Sequence, residues 1–176
     1  MSVLIPLQDE RASGAECLRS WAAQSAAPES FELVVIALGE DRELEREVRP
    51  LLRREDRWIE LAGGGEYEAF NRGAEAARGE FVLLTEAHCI PEPDTAAAML
   101  AELDRTGAPG VRGESVPVPV GEMGHLEAEE FADALEVERE PGHWRKVLIH
   151  DTAIRRDLYL RSGGLPPAYG DFAPWV

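Results

Sequence analysis

Residues 81–88 read FVLLTEAH, an uncharged apolar run that ends in a carboxylate and an imidazole. A short run of this kind is typical of a strand that is buried on both faces of a parallel sheet. Similar runs occur at residues 2–6 (SVLIP), 32–37 (ELVVIA) and 57–61 (RWIEL). We therefore predict four strands in the first 85 residues, with long connections between them.

The connecting segments carry apolar residues at helical spacing. Between the first two strands, Cys17, Leu18 and Trp21 share one face of a helix that we predict over residues 14–26. Three more helices are predicted. The first covers residues 41–54, and the second follows the glycines at 63–65 and is capped by Gly79. The third extends from Asp94 to Leu103.

The second half of the chain is less regular. Residues 111–120 (VRGESVPVPV) predict a strand, and its prolines favour a place at the edge of the sheet. Residues 144–150 predict a last strand. Residues 127–140 are acidic but contain Phe131, Leu135 and Val137, a pattern typical of an exposed helix with one buried stripe.

The alternation of strands and helices predicts an α/β fold with a mostly parallel sheet and helices on both faces. In such sheets, ligands bind beyond the carboxyl ends of the strands. Residues 6–10, 37–41 and 85–89 each follow a predicted strand or form its end. We therefore expect these three segments to line a single binding rim.

Composition narrows the class of protein. The chain has 34 acidic residues against 18 Lys and Arg, and its formal net charge of -16 repels nucleic acid and anionic bilayers. The start at Met1 lacks the basic region of a signal peptide, and no stretch reaches the roughly 18 apolar residues of a membrane span. Cys17 and Cys89 have no spacing typical of a disulfide framework or a zinc ribbon. We expect a cytoplasmic protein whose main partner is not nucleic acid.

Five segments, in order, resemble motifs of the glycosyltransferases of family 2. Residues 3–10 (VLIPLQDE) are similar to the opening strand and Pro-Thr-Tyr-Asn-Glu turn of that family, and residues 18–24 resemble its Leu-x-Ser…Gln helix. Residues 70–81 resemble its Arg-Asn-x-Gly…Ala-x-Gly-Glu-Tyr signature. Residues 84–91 stand where relatives have Leu-Asp-Ala-Asp, and residues 153–165 resemble the Phe-Arg-Arg…Gly-Gly-Phe-Asp segment.

The resemblance implies a single GT-A domain over residues 1–176, with a nucleotide-sugar-binding half at about 1–105 and a short acceptor-side half at about 106–176. It implies transfer of a sugar from a nucleoside diphosphate to a hydroxyl of a glycan, a lipid-linked or a small-molecule acceptor, with inversion. Many relatives continue beyond the point where this sequence stops. A compact enzyme, a fragment, or a domain completed by a homodimer or a partner chain all remain open.

Glu86-Ala87-His88 stands where most relatives carry an Asp-x-Asp metal motif. On an extended segment Glu86 and His88 point to the same side. We predict His88 as a direct metal ligand and Glu86 as a second ligand, or as a group that binds the ribose or a metal-bound water. Mn²⁺ is the favoured ion, with Zn²⁺ and Mg²⁺ as alternatives. Cys89 is not counted among the ligands, because no other ligand is spaced for it. A decayed site with two polar loop residues is the alternative.

The donor nucleotide is expected at the same rim. Pro6, Gln8, Asp9 and Glu10 correspond to the donor-binding turn of the family. Residues 37–40 read ALGE where relatives have the Asp-Asp pair that reads uracil, so recognition of a uridine is not expected.

Asn71 and Arg72 are predicted to approach the diphosphate, on the interpretation that they open a helix with a favourable dipole. The alternative for Arg72 is a solvated charge on the helix surface.

Inversion requires one general base that takes the proton from the acceptor hydroxyl. Gly170-Asp171 resembles the Gly-Asp base turn of some relatives, so Asp171 is the first candidate and Asp151 is the second. The alternative for Asp171 is an ordinary turn residue. At the level of the whole chain, the alternative is a non-catalytic GT-A-like module that binds a nucleotide, a glycan or a partner protein.

Overall fold

Six strands form one sheet in the order β3-β2-β1-β4-β6-β5. The computed structural model describes residues 1–8, 13–39, 42–119, 121–139 and 150–166. The strands are β1 (Ser2–Leu7), β2 (Glu32–Leu38), β3 (Arg57–Leu61), β4 (Phe81–Leu84), β5 (Gly110–Arg112) and β6 (Thr152–Arg155). The helices are α1 (Gly14–Ala22), α2 (Arg42–Val48), α3 (Glu66–Ala76), α4 (Thr95–Thr106), α5 (Gly121–Arg139) and α6 (Arg156–Arg161).

The first four strands are parallel to one another, whereas β6 runs antiparallel to both of its neighbours, β4 and β5. The predicted mostly parallel sheet is confirmed. Because β6 runs in the opposite direction, its amino-terminal end lies beside the carboxyl-terminal end of β4. Residues that precede β6 therefore reach the rim at which residues that follow β4 are found.

Strand β1 lies in the middle of the sheet and is buried along its whole length. Pro6 is compatible with this place because β4 is short. The Thr85 amide donates to the Leu4 carbonyl, so the backbone polar groups of Leu4 face β4. The backbone of Pro6, two residues later, faces the same side, but β4 has already ended there. The missing proline N–H therefore removes no ladder hydrogen bond.

Helices cover both faces of the sheet, as predicted. Val3 and Ile5 of β1 point into one apolar layer, and Leu4 points into the other because side chains alternate along a strand. The first layer contains Cys17, Leu18 and Trp21 of α1, Val48 of α2, and Ala96, Met99 and Leu103 of α4. The second contains Ala69, Phe70 and Ala74 of α3 and Tyr159 of α6.

Several predicted boundaries are wrong. The strand predicted over residues 111–120 is reduced to β5, and Val116 and Val118 in the segment after it are highly exposed. Helix α2 stops at Val48 and a 3₁₀ turn follows at Arg49–Leu51, where Pro50 lies. A helix does extend over most of residues 127–140. Of the strand predicted at 144–150, only His150 lies within the described residues, and it is in a turn before β6.

Gly79 does not cap α3, which ends at Ala76 with Ala77 in an extended conformation. The reason for a glycine at position 79 is its close approach to the first strand. A Cβ at this position would lie 2.7 Å from the Met1 carbonyl carbon and the Ser2 amide nitrogen. The Gly79 amide donates to the Ser2 hydroxyl at 2.8 Å, so the start of β1 is tied to the segment that leads into β4.

A buried carboxylate strengthens the same corner. Glu32, at the start of β2 and only 6% exposed, accepts hydrogen bonds from the Ser2 hydroxyl at 2.7 Å and from the Arg78 amide at 2.7 Å. The Arg78 guanidinium lies 2.7 Å from the same carboxylate. Burial alone raises the pKa of Glu32, but the hydrogen bonds from Ser2 and Arg78 and the Arg78 charge outweigh burial, and the pKa lies below its ordinary value.

We expect Glu32→Gln to lower the free energy of unfolding at pH 7 by ~1–2 kcal/mol, since hydrogen bonds to a charged acceptor are lost while Arg78 remains half exposed. A carboxyl with a lowered folded-state pKa stabilises the fold above its unfolded pKa, and this contribution is lost as the pH falls through the folded pKa. The difference between the proteins should therefore shrink below about pH 4.

Urea unfolding at pH 7 and at pH 3 measures the effect of Glu32→Gln, with Glu29→Gln as a control at an exposed position. A difference of the same size at both pH values would contradict this account of the Glu32 carboxylate.

Candidate metal and donor site

The candidate site begins with the pairing of β4 and β6. The last residue pair of this ladder is Leu84 with Thr152. Glu86 lies two residues after Leu84, and His150 lies two residues before Thr152. Continuation of the antiparallel register brings these side chains together on one side. The Glu86 Oε2 and His150 Nδ1 atoms are 3.6 Å apart.

A tight turn after β4 adds two more donor groups. The Cys89 amide donates to the Glu86 carbonyl at 3.0 Å, and the Ala87 side chain is fully buried in the core. With Ala87 held inside, the flanking side chains are directed to the rim. His88 Nε2 lies 3.6 Å from Glu86 Oε2, and Cys89 Sγ lies 4.0 Å from the same oxygen. The prediction that Glu86 and His88 lie on the same side agrees with this distance.

The cluster of Glu86, His88, Cys89 and His150 is partly shielded from solvent. The side chains of Glu86, His88 and His150 are 20%, 18% and 20% exposed. One ligand atom each from Glu86, His88 and Cys89 lies within 4.8 Å of the others, close enough for a single cation to touch all three. A half-buried carboxylate with two imidazoles and a thiol around it is a donor set typical of a divalent-metal site.

Cys17 packs against the backbone of the turn that carries Glu86. Its thiol is fully buried in α1 and contacts the Glu86 carbonyl oxygen at 3.9 Å. Burial, with a smaller effect of Cys89, raises the pKa of Cys17 to about 12. Cys17 is therefore a neutral packing residue beneath the turn, as its place on the helix face predicted.

The donor-binding turn is described only in part. Pro6 is buried near the end of β1, and Gln8 is half-buried directly after that strand, at the same rim as Glu86. Asp9, Glu10 and Asp41 lie outside the described residues. At the end of β2, Gly39 has a φ of +95°, a left-handed conformation that favours glycine.

Asn71 occupies a different place from the one expected. Helix α3 begins at Glu66, so Asn71 lies in its second turn, away from the positive end of the dipole. Its amide nitrogen donates to the Leu165 carbonyl at 2.7 Å, and its oxygen accepts from the Leu165 amide at 2.9 Å and from the Tyr159 hydroxyl at 2.7 Å. These bonds occupy the side chain within the protein, so we assign Asn71 to anchoring residues 163–165 rather than to a diphosphate.

Arg72 also lies inside α3 rather than at its start. Its side chain is 56% exposed and forms an ion pair with Glu75 at 2.8 Å. This is the arrangement of a solvated helix charge, the alternative interpretation of Arg72. A helix-dipole contribution to diphosphate binding is not supported for either residue, because both are one turn or more from the helix N-terminus.

Of the two candidate bases, Asp151 lies within the described residues. Asp151 is 7% exposed and lies between His150 and β6. Its carboxylate accepts hydrogen bonds from the Ser115 hydroxyl at 3.1 Å and from the Thr152 hydroxyl at 3.5 Å. Burial raises the pKa of Asp151, against an opposing effect of His150. Asp171 lies outside the described residues.

Sequence reasoning assigned neither Cys89 nor His150 to the metal, and His150 is the more distant of the two in sequence. Nothing in the local sequence pairs it with Glu86, since 64 positions separate them. The signal is tertiary: it requires that β6 be antiparallel to β4 and that their register be known. The predicted last strand at 144–150 included His150 as its final residue, which hid its place in a turn at the rim.

Comparison with known proteins identifies the family of the chain. The sequence model of Glycosyl transferase family 2 matches residues 2–159 of the 176. The chain belongs to glycosyl transferase family 2. The family recognised from the five motifs is thereby confirmed. No curated protein matches the sequence.

Solved glycosyltransferase structures share the fold of this family 2 chain. S. aureus TarS 1-349 superposes with a TM-score of 0.70 at 19% identity, over 97% of this chain and 51% of TarS. Mannosyltransferase PcManGT from Pyrobaculum calidifontis gives 0.67 at 23% identity, over 94% and 47%. M. tuberculosis glucosyl-3-phosphoglycerate synthase gives 0.58 at 20% identity, over 89% and 57%. The GT-A fold is confirmed, and the chain spans about half the length of each of these proteins.

Within the described residues of this family 2 chain, no helix combines the length and the apolar character needed to cross a membrane.

The anchoring role of Asn71 gives a stability prediction. We expect Asn71→Ala to lower the free energy of unfolding by roughly 2–4 kcal/mol, because three hydrogen bonds are lost and the buried Tyr159 hydroxyl is left without its acceptor. Arg72→Ala is the matched control, and its exposed ion pair should contribute less than about 1 kcal/mol. Denaturant unfolding compares the two.

Nucleotide binding separates the two roles of Asn71. If Asn71→Ala leaves stability unchanged and instead removes nucleotide binding, the anchoring assignment is wrong and the diphosphate contact predicted from sequence stands.

Proposed function

We propose that this chain is the donor-binding domain of a metal-dependent, inverting glycosyltransferase that transfers a sugar from a nucleoside diphosphate to an acceptor hydroxyl. The observation that carries the proposal is the convergence of Glu86, His88 and His150 at the carboxyl edge of the sheet. Ligands of parallel α/β sheets bind at this edge. Membership of glycosyl transferase family 2 supports the class of reaction.

Related structures support the choice of donor and of a metal. TarS has been crystallised with UDP and with UDP-GlcNAc, and the Pyrobaculum calidifontis mannosyltransferase with GDP-Man and Mn²⁺. These proteins are 18–23% identical to the chain, so their ligands indicate a class of donor, a nucleotide sugar, rather than one base or one sugar.

The residues present fit a divalent ion. One carboxylate oxygen and two imidazole nitrogens suit Mn²⁺, Zn²⁺ or Co²⁺ better than Mg²⁺, which prefers an all-oxygen shell. A bound divalent ion supplies positive charge that stabilises the departing diphosphate.

The chain's own residues orient the donor and accept one proton. We propose Asp171 as the general base and Asp151 as the alternative. The base removes the proton from the acceptor hydroxyl as its oxygen bonds to the anomeric carbon, while the bond from that carbon to the diphosphate oxygen breaks. Attack on the face opposite the leaving group inverts the anomeric centre. For Asp151, burial raises the pKa and so favours its proton-accepting role nearer to neutral pH.

The base of the donor nucleotide is proposed to differ from uracil. At the end of β2 the chain has Ala37 and Leu38 and then Gly39, without the acidic pair that reads uracil in relatives. A site that lacks the matching acceptor loses roughly 1–3 kcal/mol for that base. We therefore expect GDP or ADP to bind at least as tightly as UDP.

The metal-dependent part of donor binding is tested by calorimetric titration of UDP, GDP and ADP with and without Mn²⁺. We expect tighter binding with the ion, and a loss of at least about tenfold in the metal-dependent affinity for Glu86→Gln, since the central carboxylate oxygen is replaced. Glu92→Gln, at an exposed position six residues further on, is the control. Nucleotide affinity that is the same with and without the ion, in wild type and variant, would refute a metal-assisted donor site.

The base is tested by sugar transfer and donor hydrolysis. We expect Asp171→Asn to lower turnover by ~10²–10⁴-fold with donor affinity retained, because only the proton acceptor is lost. Asp151→Asn is measured beside it. If Asp151→Asn has this kinetic effect and Asp171→Asn does not, the assignment moves to Asp151.

A second candidate function is a non-catalytic module of the same fold that binds a nucleotide, a glycan or a partner protein. It is favoured by the replacement of Asp-x-Asp with Glu86-Ala87-His88. Nucleotide binding with no transfer and no donor hydrolysis, across a panel of nucleotide sugars, would support the module over the enzyme.

A further inference from the structure

Cys89 is the donor group that distinguishes this site chemically from an oxygen-and-imidazole site. Its amide is fixed to the Glu86 carbonyl at 3.0 Å, and its half-buried thiol lies 4.0 Å from Glu86 Oε2. The turn therefore holds Sγ on the same side as the carboxylate. Sequence spacing gave no reason to count Cys89 as a ligand, because the turn that brings Sγ beside Glu86 is a feature of the fold.

The distances around Glu86 Oε2 match the edges of a small coordination polyhedron. Zinc binds oxygen and nitrogen at ~2.0 Å and sulfur at ~2.3 Å in tetrahedral sites, so its ligand atoms are separated by ~3.3 Å, or by ~3.5 Å where one atom is sulfur. The corresponding separations are 3.6 Å to His88 Nε2, 3.6 Å to His150 Nδ1 and 4.0 Å to Cys89 Sγ. A contraction of a few tenths of an ångström brings His88 Nε2 and Cys89 Sγ to their ligand separations from Glu86 Oε2. Among the described residues, the ligand atoms that all lie within 4.8 Å of one another are those of Glu86, His88 and Cys89, so His150 adjoins this group through Glu86.

We propose that Glu86, His88 and Cys89 bind one divalent ion together, and that the Cys89 sulfur makes the site selective for Zn²⁺ over Mn²⁺ and Mg²⁺. Thiolate and imidazole ligands favour zinc, whereas manganese and magnesium favour oxygen ligands. This proposal deepens the proposed function and rests on it, since the same ion would hold the donor diphosphate.

Metal binding at Cys89 is an acid–base step without oxidation. The S–H bond breaks, the sulfur keeps the electron pair and bonds to the ion, and one proton is released to solvent. Three protein ligands would leave a fourth position open for a diphosphate oxygen, as in catalytic zinc sites.

Cys17 provides an internal control for every thiol measurement. It is fully buried beneath the turn, and its sulfur faces the Glu86 carbonyl oxygen. Under reducing conditions, an alkylating reagent should therefore react with Cys89 far faster than with Cys17. Zn²⁺ should protect Cys89 from the reagent and leave the slow reaction of Cys17 unchanged, as followed by peptide mass spectrometry.

The decisive experiment is titration of the intact chain with Co²⁺, whose visible spectrum reports the ligands, followed by displacement with Zn²⁺. We expect a thiolate-to-cobalt charge-transfer band for the wild type and for Cys17→Ala, and no such band for Cys89→Ser. The affinity for Zn²⁺, measured by competition, should fall by roughly tenfold or more in Cys89→Ser, while the affinity for Mn²⁺ changes little.

The outcomes separate this proposal from the proposed function. Binding of Co²⁺ without a thiolate band, or equal Zn²⁺ affinity in wild type and Cys89→Ser, overturns the role of Cys89, even where Mn²⁺ still promotes nucleotide binding. A thiolate band that is present while no nucleotide binds, with or without metal, supports Cys89 as a metal ligand and overturns the donor-binding function instead. Circular dichroism of each variant checks that the fold is intact.

Discussion

The antiparallel pairing of β6 with β4 is the constraint on which the candidate site depends. A parallel strand in this position would place its carboxyl end at the rim, and the residues before it would lie at the opposite edge of the sheet. Because β6 is reversed, His150 meets Glu86 two residues beyond the last ladder pair. The same reversal puts Asp151 against Ser115 after β5, so the segment that follows β5 is joined to the residues before β6.

The strands of the first half were predictable because burial on both faces leaves a clear pattern. Residues 2–6, 32–37 and 57–61 differ from the observed strands by at most one residue at an end. Prediction was poorer where a residue serves a tertiary contact. Gly79 was interpreted as a helix cap because glycine is common at the ends of helices. Its role in the structure is steric, since only a residue without a side chain allows the backbone to pass this close to Ser2. Val116 and Val118 have strand propensity, yet without a neighbouring strand they remain exposed.

The site was predictable to the extent that it is local in sequence. Glu86 and His88 were identified from one motif and their alternation, and they lie together as expected. His150 was not assigned to this cluster, since its contact with Glu86 depends on strand direction and register. Cys89 was set aside because ligand spacing was judged along the chain alone. Asn71 was predicted at the start of α3, but the helix begins at Glu66, which places Asn71 in the second turn.

Two side chains explain how the late part of the chain is held beside a sheet built mainly from its first 84 residues. Asn71 bonds both backbone groups of Leu165, across 94 positions of sequence, as a neighbouring strand would. Arg156 donates to the Ala74 carbonyl at 2.8 Å, near the end of the same helix. Both contacts are made with α3, so α3 holds residues 156–165 on one face of the sheet. The position of the cluster around Glu86 depends instead on the β4–β6 pairing and on Cys17 beneath the turn. Removal of the Asn71 side chain should therefore lower the stability of the protein and have a smaller effect on its affinity for metal.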